Sequence, residues 1–352
     1  MPRTSPPPAA HGVSRREFLT FCSSVALVLG VKPSRVIAAL AAGPRPCVLW
    51  LNFSGCTGCT ESALRMVSPF FDDLVRSSVS LDYHEVLMAP AGQSAESILT
   101  AAATANTGNF LCVVEGSIPT GASAGWGMIG GRTMLSIAEE ICPQARAVIC
   151  LGSCSSYGGL AAAAPNPSLA RSVTDALPGL TVPVVRLPGC PPNPVNLAAL
   201  LMNYLLVGST PALDSALRPT FAYGRFIHMV CPYYNTQRCQ ETRGCKGPVT
   251  HNNCSQAQFN EGTSFPMKVG HPCIGCSEPG FWDTMSPFYT QYHVGVVPHQ
   301  ATAVRARSTA PVKEFDLQGR LTAQTRAKTG YGRAAGVRVR KQARTRVRVL
   351  DL

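Results

Sequence analysis

The chain has 352 residues, 45% apolar and 14% charged, with fifteen cysteines and a formal charge of +12. That length allows two domains and a sizeable core. The charge sits at the ends: residues 301–352 carry thirteen Lys/Arg against three Asp/Glu, residues 1–41 carry five against one, and the body between is −2, which excludes a chain-wide nucleic-acid footprint.

The N-terminus reads as an export signal. SRREFL (Ser14 to Leu19) carries twin arginines, an apolar run follows from Leu19 to Val31, and Ala38-Ala39-Leu40-Ala41 offers cleavage after Ala41. The run is shorter than a bilayer span. The twin-arginine route exports proteins already folded with their cofactors, so residues 1–41 predict a signal peptide. The expected location is the periplasm or the outer face of the cytoplasmic membrane.

Residues 42–210 alternate β-rich apolar runs with helical stretches. The predicted strands are Cys47–Phe53, Val79–Val86, Phe110–Glu115, Ala147–Leu151 and Val182–Leu187; the predicted helices are Glu61–Arg76, Ser94–Ala103, Arg132–Ile141 and Pro194–Leu206. Several strands are almost continuously apolar, as parallel strands buried on both faces are. The pattern predicts an α/β fold with a doubly wound, flavodoxin-like parallel sheet. Residues 211–300 are rich in Cys, Gly, Pro, Asn and Tyr and have little periodicity. Such a segment needs metal clusters as staples, which predicts an irregular cluster-binding C-terminal domain. Residues 301–352 read as a basic, disordered tail, although the alternation in VRVRKQARTRVRVL suits a short strand. No run of 18 apolar residues follows Cys276.

Ten cysteines and one histidine fall into three groups. The first is Cys56 and Cys59 in SGCTGCTES, with Cys154 and Cys190; the second is His228, Cys231, Cys239 and Cys245; the third is Cys254, Cys273 and Cys276. Thiolates are the usual iron–sulfur ligands, and a CxxC turn lets two of them reach one cluster. Gly58 is expected to ease that turn. Cys56 and Cys59 follow the first predicted strand, Cys154 the fourth and Cys190 the fifth, all at strand carboxyl ends where open α/β sheets bind ligands. The rivals are disulfides, a zinc site or a redox dithiol for single motifs, and a Cys3His zinc site for the second group. Three cysteines in the third group suggest a 3Fe–4S cluster. Three clusters make an electron wire serving a catalytic site elsewhere. Cys22 lies in the signal; Cys47, Cys112, Cys142 and Cys150 remain, three of them inside apolar runs, where free cysteines act as packing residues.

From about Cys47 to Asp283 the chain resembles the small, electron-transferring subunit of nickel–iron hydrogenases. CTGCTE, EGSIP (Glu115 to Pro119), GSC, PGCPPNP, GCKGP and GHPCIGCSEPGFWD carry the resemblance jointly. It implies a proximal 4Fe–4S cluster on Cys56, Cys59, Cys154 and Cys190, a medial 3Fe–4S on Cys254, Cys273 and Cys276, and a distal 4Fe–4S on His228, Cys231, Cys239 and Cys245. It implies an obligate large subunit holding the nickel–iron centre, where H2 ⇌ 2H⁺ + 2e⁻, and a cytochrome or other redox partner, with membrane association through a partner. The chain would be an oxidoreductase subunit with no catalytic residue of its own. The nickel-binding pattern needs a second CxxC near the C-terminus, and here 76 residues follow Cys276.

Two departures stand out. Only seven residues separate Cys231 from Cys239, where the family has a longer loop, and the tail replaces the membrane helix of membrane-bound members. Oxygen-tolerant relatives add two cysteines where this chain has Gly58 and Gly159, so poor oxygen tolerance is expected. A quinone-reductase subunit of related fold is the competing redox reading, and the segment 228–276 speaks against it. Glu115 stands either near the proximal cluster or in a structural role.

Overall fold

The structure is a computed structural model, describing residues 19, 22–23, 25–26, 29–42, 45–66, 70–260, 262–290, 312–315, 321–325, 338–340 and 346–349. Residues 1–300 form one compact unit and 301–352 another. The five expected strands form one sheet: β1 (Cys47–Asn52), β2 (Ser80–His84), β3 (Leu111–Glu115), β4 (Ala147–Leu151) and β5 (Val184–Leu187). Every pairing is parallel and the spatial order is β2-β1-β3-β4-β5. This is the flavodoxin-like order, whose switch point lies between β1 and β3.

Alternate residues of the strands feed two apolar layers. Val48, Trp50, Val113, Ile149 and Val185 point into one; Leu49, Leu51, Cys112, Val114, Val148 and Cys150 point into the other. Both faces are therefore buried, which explains the unbroken apolar runs.

The helices differ from expectation in one place. The stretch read as one helix over 61–76 is two, Gly58–Leu64 and Phe71–Ser77. Pro69 cannot donate the bond a continuing helix needs at that position. Gln93–Ala105 buries Ala95, Leu99 and Ala103, an i, i+4, i+8 stripe. Met134–Ile141 starts at Thr133, whose hydroxyl accepts from the Ser136 amide at 3.0 Å. Pro194–Val207 carries Pro at its first position, and the Asn193 side chain accepts from the Val195 amide at 2.9 Å.

That last helix buries nine of its fourteen residues. A helix so apolar all round needs cover on two sides. One side faces the sheet, and Pro33–Ala42 packs against it as well. Cys22, Val25, Ala26 and Val36, from the stretch read as an export signal, join this core layer. The twin arginines Arg15 and Arg16 lie outside the described residues.

Residues 211–290 are irregular, as expected: four-residue helical turns such as Ile227–Val230 and Cys254–Ala257 alternate with loops. Their apolar cluster is small: Ile227, Phe265 and Met267, with Cys245, Cys254 and Cys273. Polar ties hold this segment together and fasten it to the sheet domain. Buried Arg218 bonds Asp214 at 2.7 Å and Glu278 at 3.0 Å. Asn196 and Asn253 exchange amide bonds at 2.9 Å.

The stretch read as a disordered tail carries four short strands, β6 (Val312–Phe315), β7 (Leu321–Thr325), β8 (Arg338–Arg340) and β9 (Arg346–Val349). They pair antiparallel in the order β7-β6-β9-β8. The Val/Arg alternation has the two-residue period of a strand, a local signal that the basic composition masked.

Candidate metal centres

The first cysteine group assembles at the sheet's carboxyl edge. Cys56 and Cys59 occupy the turn after β1, Cys154 the short helix after β4, and Cys190 the loop after β5. The turn's left-handed residue is Thr57, at φ 62°, not Gly58. Gly58 is needed for space: a Cβ there would sit 3.0 Å from Cys56 Sγ. Gly152, at φ +92°, lies so that a Cβ would come 2.5 Å from Cys59 Sγ. Gly159, at φ +60°, similarly clears Cys154 Sγ, 2.5 Å from the Cβ it lacks.

Glu115 resolves into an anchor for this turn. Its buried carboxylate, at the end of β3, accepts from the Cys59 amide at 3.0 Å and the Thr60 amide at 3.0 Å. It also accepts from the Thr60 hydroxyl at 2.6 Å and Trp50 Nε1 at 3.3 Å. Neighbouring strands of the switch point thus hold each other through one side chain. Because Thr60 donates to Glu115, His84 Nε2–H donates to Thr60 Oγ1 at 3.2 Å, leaving Nδ1 to accept from the Val86 amide at 3.3 Å. Burial pushes the His84 pKa down to about 4 and keeps the ring neutral, which suits that tautomer.

The four thiols feel one another. Burial raises Cys59 well up, and Glu115, Cys154, Cys190 and Cys56 push it further. Burial likewise raises Cys154 to about 11, with Cys190 adding. Holding such thiols as thiolates requires local positive charge, which the irons of a cluster supply.

The other two groups pack together in the C-terminal segment. Burial raises Cys273 strongly, with Cys254, Cys276 and Cys245 adding. Cys245 is raised by burial, with lesser pushes from Cys231 and Cys239. Sulfurs accept backbone bonds here: Cys273 N–H reaches Cys245 Sγ at 3.4 Å, and Gly275 N–H reaches Cys273 Sγ at 3.4 Å. Amides aimed at sulfur stabilise negative charge on a cluster and raise its potential. The second group lines one cavity, with His228, Cys231, Cys239 and Cys245 on its walls beside Tyr233 and Tyr234. Among the described residues no three His, Cys, Asp or Glu converge as a single metal ion demands.

The groups are also contiguous. Cys276, of the third, interacts with Cys190, of the first, and Ser153 beside Cys154 donates its hydroxyl to the Cys276 carbonyl. Cys273, of the third, touches Cys245, of the second. The third group therefore lies between the other two. Cys22, Cys47, Cys112, Cys142 and Cys150 are buried and free; Cys112 Sγ and Cys142 Sγ lie 4.0 Å apart inside one core layer.

Sequence reasoning gave no role to Thr60, His84, Trp50 or Ser153. Only Thr60 and Ser153 sat inside motifs, next to Cys59 and Cys154. His84 and Trp50 lie on neighbouring strands, and only the strand pairing Trp50↔His84 joins them.

Comparison with known proteins matches two stretches of the chain to two family descriptions. Residues 56–204 match the family described as NADH ubiquinone oxidoreductase, 20 Kd subunit. Residues 216–289 match the family described as the C-terminal part of the NiFe/NiFeSe hydrogenase small subunit. The periplasmic [NiFe] hydrogenase small subunit 1 of Nitratidesulfovibrio vulgaris is 44% identical over 301 residues, covering 80% of this chain and 94% of the relative. The hydrogenase-2 small chain of Escherichia coli K12 is 40% identical over 292 residues, covering 77% of this chain and 78% of the relative. A reduced, active form of the Ni-Fe-Se hydrogenase from Desulfomicrobium baculatum superposes with TM-score 0.67 at 32% identity, covering 71% of this chain and 100% of that one. The sheet domain alone is common to both redox classes, and the second match removes the quinone-reductase alternative: this chain belongs to the NiFe hydrogenase small-subunit family.

Proposed function

We propose that the chain relays electrons through three iron–sulfur clusters between the nickel–iron site of a large partner subunit, where H2 ⇌ 2H⁺ + 2e⁻, and an external redox partner. Cys56, Cys59, Cys154 and Cys190 would hold a proximal 4Fe–4S cluster. Cys254, Cys273 and Cys276 would hold a medial 3Fe–4S cluster. His228, Cys231, Cys239 and Cys245 would hold a distal 4Fe–4S cluster. Bound clusters would supply one-electron redox chemistry to this chain.

The observation that carries this is contiguity: Ser153, beside Cys154, bonds the Cys276 carbonyl, and the Cys273 amide bonds Cys245 Sγ, so the three donor sets adjoin in series. The residues' own tasks follow. Glu115 fixes the CTGC turn, so two thiols face one point. Gly152 and Gly159 leave room beside Cys59 and Cys154. The backbone amides of Cys273 and Gly275 aim at sulfur. His228 brings a neutral ligand to the outer end.

The proximal edge is the surface for the partner. Apolar Leu64, Trp126 and Leu160 are exposed and follow Cys59, the β3 edge and Cys154 in the chain. An obligate interface of more than about 2,000 Å² is expected there. The twin-arginine signal supports export to the periplasm or the outer face of the cytoplasmic membrane, and the names of periplasmic relatives support the periplasm.

Iron, sulfide and EPR measurements on the purified complex test this. About eleven irons in this chain and a 3Fe–4S signal in oxidised protein are expected. Zinc without a paramagnetic signal would overturn it. With Gly58 and Gly159 in place of the added cysteines, H2 oxidation is expected to fail in sustained air.

A further inference from the structure

The distal end differs in charge from the rest of the body. Residues 225–271 hold five Lys/Arg against two Glu, while the remainder of 42–300 holds eight against thirteen. The positive end is the one that carries His228, Cys231, Cys239 and Cys245.

Three of its cations are contiguous. Arg238 lies over the Tyr233 ring at 4.3 Å and donates to the Lys268 carbonyl at 3.3 Å. Lys268 Nζ donates to the Gln258 amide oxygen at 3.0 Å. Arg243 donates to the Gln240 amide oxygen at 3.4 Å. Among the described residues none of these three pairs with a carboxylate in an ion pair. Glu241 is the one described acid in the segment.

The cations border exposed apolar side chains. Met229 is 71% exposed, Val269 62% and Tyr234 56%. Met229 adjoins His228, whose ring meets Tyr234 at 4.4 Å, and Val269 adjoins Lys268. Apolar contacts inside a charged rim are the make-up of a transient docking site, where charge steers and a small apolar centre seats the partner. The seven-residue spacing of Cys231 and Cys239 leaves little chain to cover this surface.

We propose that this face docks an acidic redox protein, one whose one-electron cofactor is exposed within a carboxylate rim. The inference rests on the electron-relay function. Each encounter passes one electron to the oxidised acceptor, so two encounters, with two protons released at the partner subunit, close one H2 oxidised.

The test uses the purified heterodimer under H2. Three acceptors are compared: an acidic plant-type ferredoxin, a basic c-type cytochrome and the small dye methyl viologen. Reduction of the ferredoxin should be the faster of the two protein reactions and fall roughly tenfold or more from low to high salt, as steered encounters do. Lys268→Glu and Arg238→Glu should each slow the ferredoxin reaction severalfold and speed the cytochrome reaction. That gain is a readout that damage to the distal loop would not produce, and Lys268 lies outside the Cys231–Cys245 loop. A salt-insensitive ferredoxin reaction, a preference for the basic cytochrome, or variants that slow both proteins alike would overturn the docking proposal. Failure of the wild-type complex to reduce methyl viologen would instead overturn the relay function.

Discussion

The sheet domain and the cysteine-rich segment bury their interiors by different means. In the first, five parallel strands feed two apolar layers that include Trp50, Tyr83 and Phe110. In the second, three apolar side chains share the interior with Cys245, Cys254 and Cys273, three of the proposed ligands. The sheet domain is held by apolar burial and carries its four grouped cysteines at an edge. The C-terminal segment would be built around the proposed clusters, whose binding energy becomes folding energy. The same donor chemistry would thus be a passenger in one half and a core in the other.

Removing one thiol from each half puts that contrast to its hardest test. Cys273 is buried in the small C-terminal cluster, whereas Cys56 is exposed at the sheet edge. Cys273→Ala should cost the complex about seven irons, medial and distal together, and open residues beyond 210 to protease. Cys56→Ala should cost no more than about four irons and leave both halves protease-resistant. Iron content and mapped tryptic cuts read the difference. Equal damage from the two variants would mean the halves do not differ in this way.

The next effect is polar and lies wholly in the sheet domain. Glu115→Ala would strand four donors, three buried on Trp50 and Thr60 and one part-buried on Cys59, at about 3–5 kcal/mol. Glu115→Gln keeps the shape and one acceptor oxygen, so about half of that loss is expected. Chemical denaturation of the complex measures both. Below this lies Gly159→Ala, at about 3 kcal/mol: a Cβ there meets Cys154 Cα at 2.8 Å and Sγ at 2.5 Å on a left-handed backbone. Its signature is a changed proximal EPR signal with medial and distal signals intact.

How much of this was legible in the sequence divides along the same line. The five strands were readable because burial on both faces leaves unbroken apolar runs, and chain order then put Cys56, Cys59, Cys154 and Cys190 at one edge. For the C-terminal cysteines and His228 only spacing and family motifs offered a grouping, since no periodicity exists there to read. The break near Pro69 was missed because the apolar pattern continues through it. The Val/Arg strands of the tail were discounted because charge composition speaks louder than a two-residue period. The Glu115–Thr60–His84 network was invisible because its members lie on β1, β2, β3 and a helix. Only parallel pairing in register, Trp50↔His84 and Asn52↔Glu115, makes them neighbours.

The smallest expected effect is a pH dependence that belongs to the sheet domain through His84. The ring is 1% exposed and stacks on Trp50 at a centroid distance of 4.9 Å. Unfolded histidine titrates near 6.5 and the folded ring at about 4. Between those values the unfolded chain binds a proton that the folded chain refuses. The stabilisation is therefore complete above pH 6.5 and is lost as pH falls to about 4, by about 1–3 kcal/mol. Protonation would also force Nδ1 to carry hydrogen against the Val86 amide, replacing an accepted bond with a clash of donors. His84→Gln removes the titrating group while keeping an amide that can donate to Thr60. Urea midpoints of the variant should fall less than wild type between pH 7 and 5, and match its slope above pH 7. Parallel wild-type and variant curves across the whole range would show that His84 is not held neutral by burial, and the tautomer assigned to the network would fall with it.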